Sequence, residues 1–344
     1  MIALIIISSL IGTILMYLIV VIFFPVLKVQ PQPVKKNLGE QKIPKNRENI
    51  QYSVDGIKVA GWYYKPIKNA NGACIIFSHG LCGTKDMGLE KYALKFSNEG
   101  YAVLLYDYRY FGDSSGKPRQ LFGGIYQYND LKGAISYARS RKDINENKIF
   151  LWGTSAGAGY GISVAGIDDK IAGVIAQCGA YNHKEDNKLY LDRLGMGFFL
   201  KLFVHGQRDK GRSRFGLSPH TFPAYGKEGT VAMLSGPGFF KGIQRLAENS
   251  STFKNELCGR MAFLPHAPDP TESALSVKCE VLIQICTMDS LVSPNTHLQL
   301  VENLGEKAHV KKYPIDHFDI YFDADFDKAT DDQLEFLNAI IRSK

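Results

Sequence analysis

Five short runs in this chain are apolar but for Gln177 and Gln284, and they constrain its fold more than any other feature. They are Ala73–Phe77, Ala102–Tyr106, Ile149–Trp152, Ile171–Gln177 and Val281–Cys286. A strand with one wet face alternates apolar and polar residues. A continuous run of this length instead fits a parallel strand covered on both faces. Helical patterns separate the runs: Leu89, Tyr92, Ala93 and Phe96 are spaced for one helix face, as are Ile125, Leu131, Ala134, Ile135 and Ala138. A further helix is expected over 156–165, a strand over His309–Tyr313, and a closing helix over Thr330–Ile341. This βαβ alternation predicts an α/β protein, a mostly parallel sheet with helices on both faces.

Two segments depart from that pattern. Gln51–Val54 and Lys58–Tyr64 flank Asp55-Gly56, a pair that tolerates positive φ in a two-residue hairpin, so an antiparallel ribbon is expected at one sheet edge. Between Gly179 and Ser276 the alternation fails, and residues 182–275 are expected to form an inserted cap. The core then comprises residues 50–181 and 276–344.

From Ile2 to Phe24 no residue is charged. About 23 residues at ~1.5 Å rise make roughly 35 Å of helix, enough to cross a ~30 Å hydrocarbon layer. There is no basic n-region and no small-residue cleavage site before Pro25. Residues 1–27 are therefore expected to be a retained transmembrane anchor rather than a signal peptide. The net charge of +7 is concentrated beside it: residues 28–70 hold nine Lys or Arg against Glu40, Glu48 and Asp55. Residues 28–49, with Pro31, Pro33 and Pro44, read as a basic linker near an anionic leaflet, which places the domain on the cytoplasmic side. A local surplus of this kind is not a nucleic-acid-reading face. Six scattered cysteines without a C-x-x-C pair read as free thiols, and no metal or organic cofactor is implied.

Gly153-Thr-Ser-Ala-Gly157 follows an apolar strand and precedes a helix of small residues. In that context G-x-S-x-G makes Ser155 a nucleophile raised on a sharp turn, flanked by glycines because a Cβ would collide. A serine hydroxyl needs a base, and the expected chain order is serine, acid, histidine. Asp289 follows the strand ending at Cys286 and His317 follows the strand ending at Tyr313, so both should emerge at the sheet edge that carries Ser155. Asp316 and Asp319 compete with Asp289 but stand too near His317 in sequence. His309 is expected at a strand start and His297 on a helix, both facing solvent. The tetrahedral oxyanion requires two donors, which Ala156 N–H and Leu81 N–H would supply. His79 would brace their loop.

These residues resemble the α/β-hydrolase superfamily, in particular dienelactone hydrolases and Xaa-Pro dipeptidyl-peptidase-like serine hydrolases. The stretches that carry the likeness are Ser78-His-Gly-Leu81, Tyr106-Asp-Tyr-Arg-Tyr-Phe-Gly-Asp-Ser-Ser-Gly116, Pro118-Arg-Gln120, Trp152–Gly157 and His317-Phe-Asp-Ile-Tyr321. The resemblance implies a triad of Ser155, Asp289 and His317, with Arg109 and Asp113 structural. Cys286-Thr287 departs from the glycine common before the acid. The expected activity is cleavage of a small-molecule carboxylic ester or thioester. Alternatives are a peptidase or amidase using the same site, or a non-catalytic binding module. The apolar stretch Leu194–Val204 would be cap core, or else line an acyl pocket. A neutral His317 would make activity rise with pH through about 6.5.

Overall fold

The computed structural model describes residues 1–24, 29–39, 42–236 and 238–343. Pro25–Lys28 and Glu40, which figure in the anchor and linker expectations, lie outside them.

Among the described residues, eight strands form one sheet. They are β1 (Arg47–Val54), β2 (Ile57–Tyr64), β3 (Cys74–Ser78), β4 (Ala102–Tyr106), β5 (Ile149–Thr154), β6 (Ile171–Gln177), β7 (Glu280–Cys286) and β8 (Ala308–Tyr313). Their spatial order is β1-β2-β4-β3-β5-β6-β7-β8. β1 and β2 form an antiparallel hairpin whose last pair is Val54↔Ile57, with Asp55 and Gly56 at φ 51° and 76°. β1 starts at Arg47, inside the segment read as linker. β2 runs antiparallel to β4, and all remaining pairings are parallel. β3, β4 and β5 are buried at every residue, as their unbroken apolar runs require.

The helices are α1 (Ile2–Phe23), α2 (Glu90–Asn98), α3 (Gly124–Ser140), α4 (Ala156–Ala165), α5 (His183–Leu194), α6 (Met196–Arg214), α7 (Phe239–Ala247), α8 (Pro270–Ala274), α9 (Thr296–Leu304) and α10 (Asp323–Ser343). From β3 the chain steps one way to β4, and after β5 it steps the other way. Right-handed crossovers therefore send α2 and α4 to opposite faces. α10 joins α2, with Tyr92 and Phe326 in edge contact at 4.7 Å. It is seated by Gln333, whose amide bonds Gln177 at 3.1 Å and Gln284 at 2.6 Å and accepts from the Trp152 indole at 3.1 Å.

Between β6 and β7 the chain leaves the sheet for α5, α6, α7 and two short ribbons, Thr221–Phe222 with Leu257–Cys258 and Tyr225–Gly226 with Leu234–Ser235. α8 returns to the sheet, where Pro270 lies against Gly159 of α4. This cap is tied to the body through Asp86, which accepts from Thr84, Ser250, Ser251 and Thr252. The residues read as a linker are also tied down: Lys36 donates to the Ser250 carbonyl at 2.7 Å, and Asn37 N–H to Glu248 at 2.7 Å.

α1 is long and apolar enough to cross a membrane. Its buried and half-buried residues, Leu18, Val21 and Ile22, lie toward its C-terminal end.

Candidate functional site

The winding direction changes at β3 and β5, and open α/β sheets place their sites in the crevice at such a point. Ser78 pairs with Gly153 there, so the loops leaving both strands start side by side. Ser155 sits on the turn leaving β5 at φ 53°, ψ −123°, a conformation that non-glycine residues rarely adopt. Packing enforces it: a Cβ on Gly157 would lie 2.1 Å from the Ser78 carbonyl oxygen, and one on Gly153 would lie 2.3 Å from that of Gly157. The sequence anticipates both glycines for this reason. Gly80 is equally confined, since a Cβ there would meet the Ser155 Cβ at 3.2 Å. The 79–81 loop thus passes directly over the serine.

Asp289 and His317 meet on the neighbouring strands. Beyond the Cys286↔Tyr313 pair the two loops stay joined, with Thr287 N–H donating to Tyr313 and Met288 N–H to Ile315. His317 Nδ1 then lies 2.7 Å from Asp289 Oδ2, with both side chains buried. Asp289 Oδ1 accepts the Leu291 and Val292 N–H groups at 2.8 Å each, which fixes the carboxylate plane. Asp316 turns away from the imidazole. It accepts from Ser290 N–H and from the His317 backbone N–H, each at 2.8 Å, and so pins the two loops together. Burial lowers the His317 pKa, but Asp289, Asp316 and Asp186 outweigh it and leave the ring more basic than free histidine. The midpoint anticipated at 6.5 therefore moves upward. Asp186 on α5 was missed in the sequence; burial pushes its carboxyl up to about 7.

Ser155 and His317 face one cleft. Its remaining walls are His79, Gly80, Leu81, Gly83, Thr84, Met87, Leu89 and Thr154 from the body, Tyr225, Leu234, Ile243 and Leu246 from the cap, and Leu291, Phe318 and Tyr321. None of these is an acid, a lysine or an arginine. Ala156 opens α4, where first-turn N–H groups have no intrahelical acceptor. The Leu81 peptide is held from its other end, because the Tyr225 hydroxyl donates to the Leu81 carbonyl. The sequence carried no signal for Tyr225.

His79 is buried beside Tyr108, whose hydroxyl donates to its carbonyl, and burial brings its pKa down to about 4. Such a ring is neutral and braces the loop. Arg109 bonds Asp130 and Asp55, and Asp113 pairs with Lys85 beneath the same loop. Gly112 follows from that network, since a Cβ there would lie 2.2 Å from Asp107 Oδ2. His309 is half exposed on β8 and pairs with Glu280 at 2.6 Å.

One expectation is corrected and another is narrowed. His297 does not face solvent: with Leu300 and Leu304 it forms the buried face of α9, under the Tyr181 ring, and its pKa falls to about 4. The Leu194–Val204 stretch contributes nothing to the cleft. Its inner side is core, with Phe198 buried and Leu194, Phe199 and Leu202 packed against the cluster, as expected for cap core, but Met196, Leu200 and Phe203 point outward.

Known proteins agree with this architecture. The family model described as serine aminopeptidase, S33, matches residues 69–212. The quorum-quenching protein AidA of Acinetobacter baumannii is 32% identical over 302 residues, 88% of this chain and 98% of its own. The thiohydrolase aneE of Aspergillus aculeatus is 32% identical over 140 residues, covering 39% of this chain and 43% of its own length. The crystal structure of the α/β hydrolase GrgF from a Penicillium species superposes with a TM-score of 0.71 at 20% identity, covering 87% of this chain and all of that one. With this likeness over nearly its whole length, its strand order and its serine-bearing turn, the chain belongs to the α/β-hydrolase superfamily of serine hydrolases.

Proposed function

We propose that this protein is a membrane-anchored esterase or thioesterase in which Ser155 is the nucleophile, His317 the general base and Asp289 its orienting acid. One observation carries the reading: the Asp289–His317 hydrogen bond stands on the same cleft as a serine held at positive φ. With Nδ1–H given to Asp289, Nε2 keeps its lone pair. It takes the Ser155 proton as Oγ attacks the substrate carbonyl carbon. The oxyanion accepts from the Leu81 and Ala156 N–H groups, whose positions need no rearrangement as charge develops. Collapse breaks the ester or thioester bond, and His317 passes its proton to the departing alcohol or thiol. Water, deprotonated by the same ring, then releases the acid and restores the serine.

The cleft favours an apolar acyl group. Leu81, Met87, Leu234, Ile243 and Leu246 line it, and no carboxylate stands among its walls to hold the ammonium group of a peptide N-terminus. That argues against the aminopeptidase activity in the matched family's description. The name of the thiohydrolase relative supports a thioester substrate. α1 would span the bilayer, with the basic residues after it holding the domain at the cytoplasmic face.

The test uses the full chain in membranes with matched ester, thioester and anilide substrates of increasing acyl length. The expected result is ester and thioester turnover that Ser155→Ala abolishes, with anilides slower by roughly 10²-fold or more. Anilide turnover equal to that of the esters would contradict the reading.

A further inference from the structure

One side of the apolar stretch of α6 packs on the core through Phe198, Phe199 and Leu202, but its other side is neither core nor cleft and needs a separate account. Met196, Leu200 and Phe203 recur at helical spacing and are 60%, 59% and 50% exposed. At 3.6 residues per turn the same stripe continues through Gln207 and Lys210 to Arg214. It is apolar over its first two turns and basic over its last two. Soluble surfaces seldom present such a row beside further exposed apolar side chains, here Phe215 and Leu217.

The adjacent face of α6 receives α1. Arg208, only 7% exposed, donates through Nη1 to the Val21 carbonyl at 2.6 Å and to that of Phe24, while Arg212 donates to the Ile22 carbonyl at 3.3 Å. Two guanidiniums thus hold carbonyls at the C-terminal end of α1, where the helix dipole favours cations. Ile22 fills the space over Gly211, where a Cβ would lie 2.4 Å away, and Phe23 packs on Phe215 with ring centres 5.3 Å apart. The point where α1 leaves the globule is therefore fixed on α6. Above that turn α1 is exposed except at Leu18, which is half-buried.

We propose that α6 is a second membrane contact. It would lie in the interface beside the emerging anchor, with Met196, Leu200 and Phe203 among the acyl chains and Lys210 and Arg214 at the anionic headgroups. The proposal rests on the reading of α1 as a membrane-spanning anchor. Two observations select a bilayer over a protein partner: the stripe is continuous with the anchor's docking site, and its composition is that of an interfacial helix, apolar residues followed by basic ones. The cap that closes over Ser155 would then sit on the lipid surface rather than hang in solvent.

The test places a tryptophan at the stripe. Phe203→Trp and, separately, Leu200→Trp are made in the full chain and reconstituted in nanodiscs of 3:1 phosphatidylcholine to phosphatidylglycerol, with or without brominated acyl chains. Ile167→Trp is the control, since Ile167 is exposed just past the C-terminal end of α4, outside α1 and α6. The wild-type signal of Trp62 and Trp152 is subtracted. Bromolipid should quench the α6 tryptophans by about half or more and the control by about a tenth or less, as expected for side chains buried ~5–10 Å into the boundary. Equal quenching at the two sites, with the chain still resisting carbonate extraction, would overturn the α6 contact and leave the anchor standing. Extraction by carbonate would instead refute the anchor, and this contact with it. Blue-shifted but unquenched emission, together with cross-linking between copies, would assign the stripe to a second chain and overturn the proposal.

Discussion

Asp289→Asn separates orientation of the base from mere burial of a polar residue. The Leu291 and Val292 N–H groups both donate to Oδ1 at 2.8 Å, so the new carboxamide must keep its oxygen there. Turning its NH2 toward them would strand two buried donors at ~1–3 kcal/mol each. The NH2 group therefore faces His317 Nδ1. Two donors cannot share that bond, so the ring carries its proton on Nε2 and offers no lone pair to Ser155. The expected loss is roughly 10²–10⁴-fold in kcat, about 3–5 kcal/mol of transition-state stabilisation. Both backbone hydrogen bonds survive, so Tm should move by only a few degrees. Removing the negative charge should also lower the pH midpoint of the residual activity, because Asp289 is the principal group raising the His317 pKa. The assay is hydrolysis of a chromogenic short-chain ester from pH 5 to 9, with circular dichroism as the control for folding. A variant within about threefold of wild type, with its pH midpoint unmoved, would refute the orienting role.

Two further expectations are accessible with the same assay. In the wild type, kcat/KM should rise with pH and reach half its plateau above 6.5, since only neutral His317 accepts a proton and its folded-state pKa is raised; a midpoint at or below 6.5 would contradict this. Tyr225→Phe removes the donor on the Leu81 carbonyl and should reduce kcat about 5–10-fold, near 1 kcal/mol, with KM and Tm little changed; unaltered kcat would show that the 79–81 loop holds its shape without the cap.

The sheet was legible because its central strands are buried on both faces and so carry almost wholly apolar runs, broken only by the buried Gln177 and Gln284. The edge hairpin was marked by Asp55-Gly56, and the serine turn by two glycines that sterics demand. Asp289 and His317 could be singled out because a parallel sheet delivers all its strand ends to one edge. The cap was not legible in the same way. Its strands are two residues long and carry no period, so Tyr225 and Leu234 gave no sign of reaching the cleft. Asp86 and Lys36 looked like ordinary surface charges, because their partners in the cap lie more than 160 residues away in the chain. His297 was misjudged since polarity was weighed above the spacing of Leu300 and Leu304, which places it on the inner face of α9. The Leu194–Val204 stretch was read as buried because it is apolar; only the docked end of α1 suggests a non-aqueous surrounding for its outer side.

The central claim is that the hydroxyl at position 155 is made reactive by its surroundings, and covalent trapping tests it most directly. Full-length protein in membranes is treated with a fluorophosphonate, digested and mapped by mass spectrometry. One adduct per chain on the peptide carrying Ser155 is expected, forming more slowly in Asp289→Asn and absent in Ser155→Ala. An unmodified Ser155 in folded protein, or equal labelling of Ser155→Ala, would contradict the account.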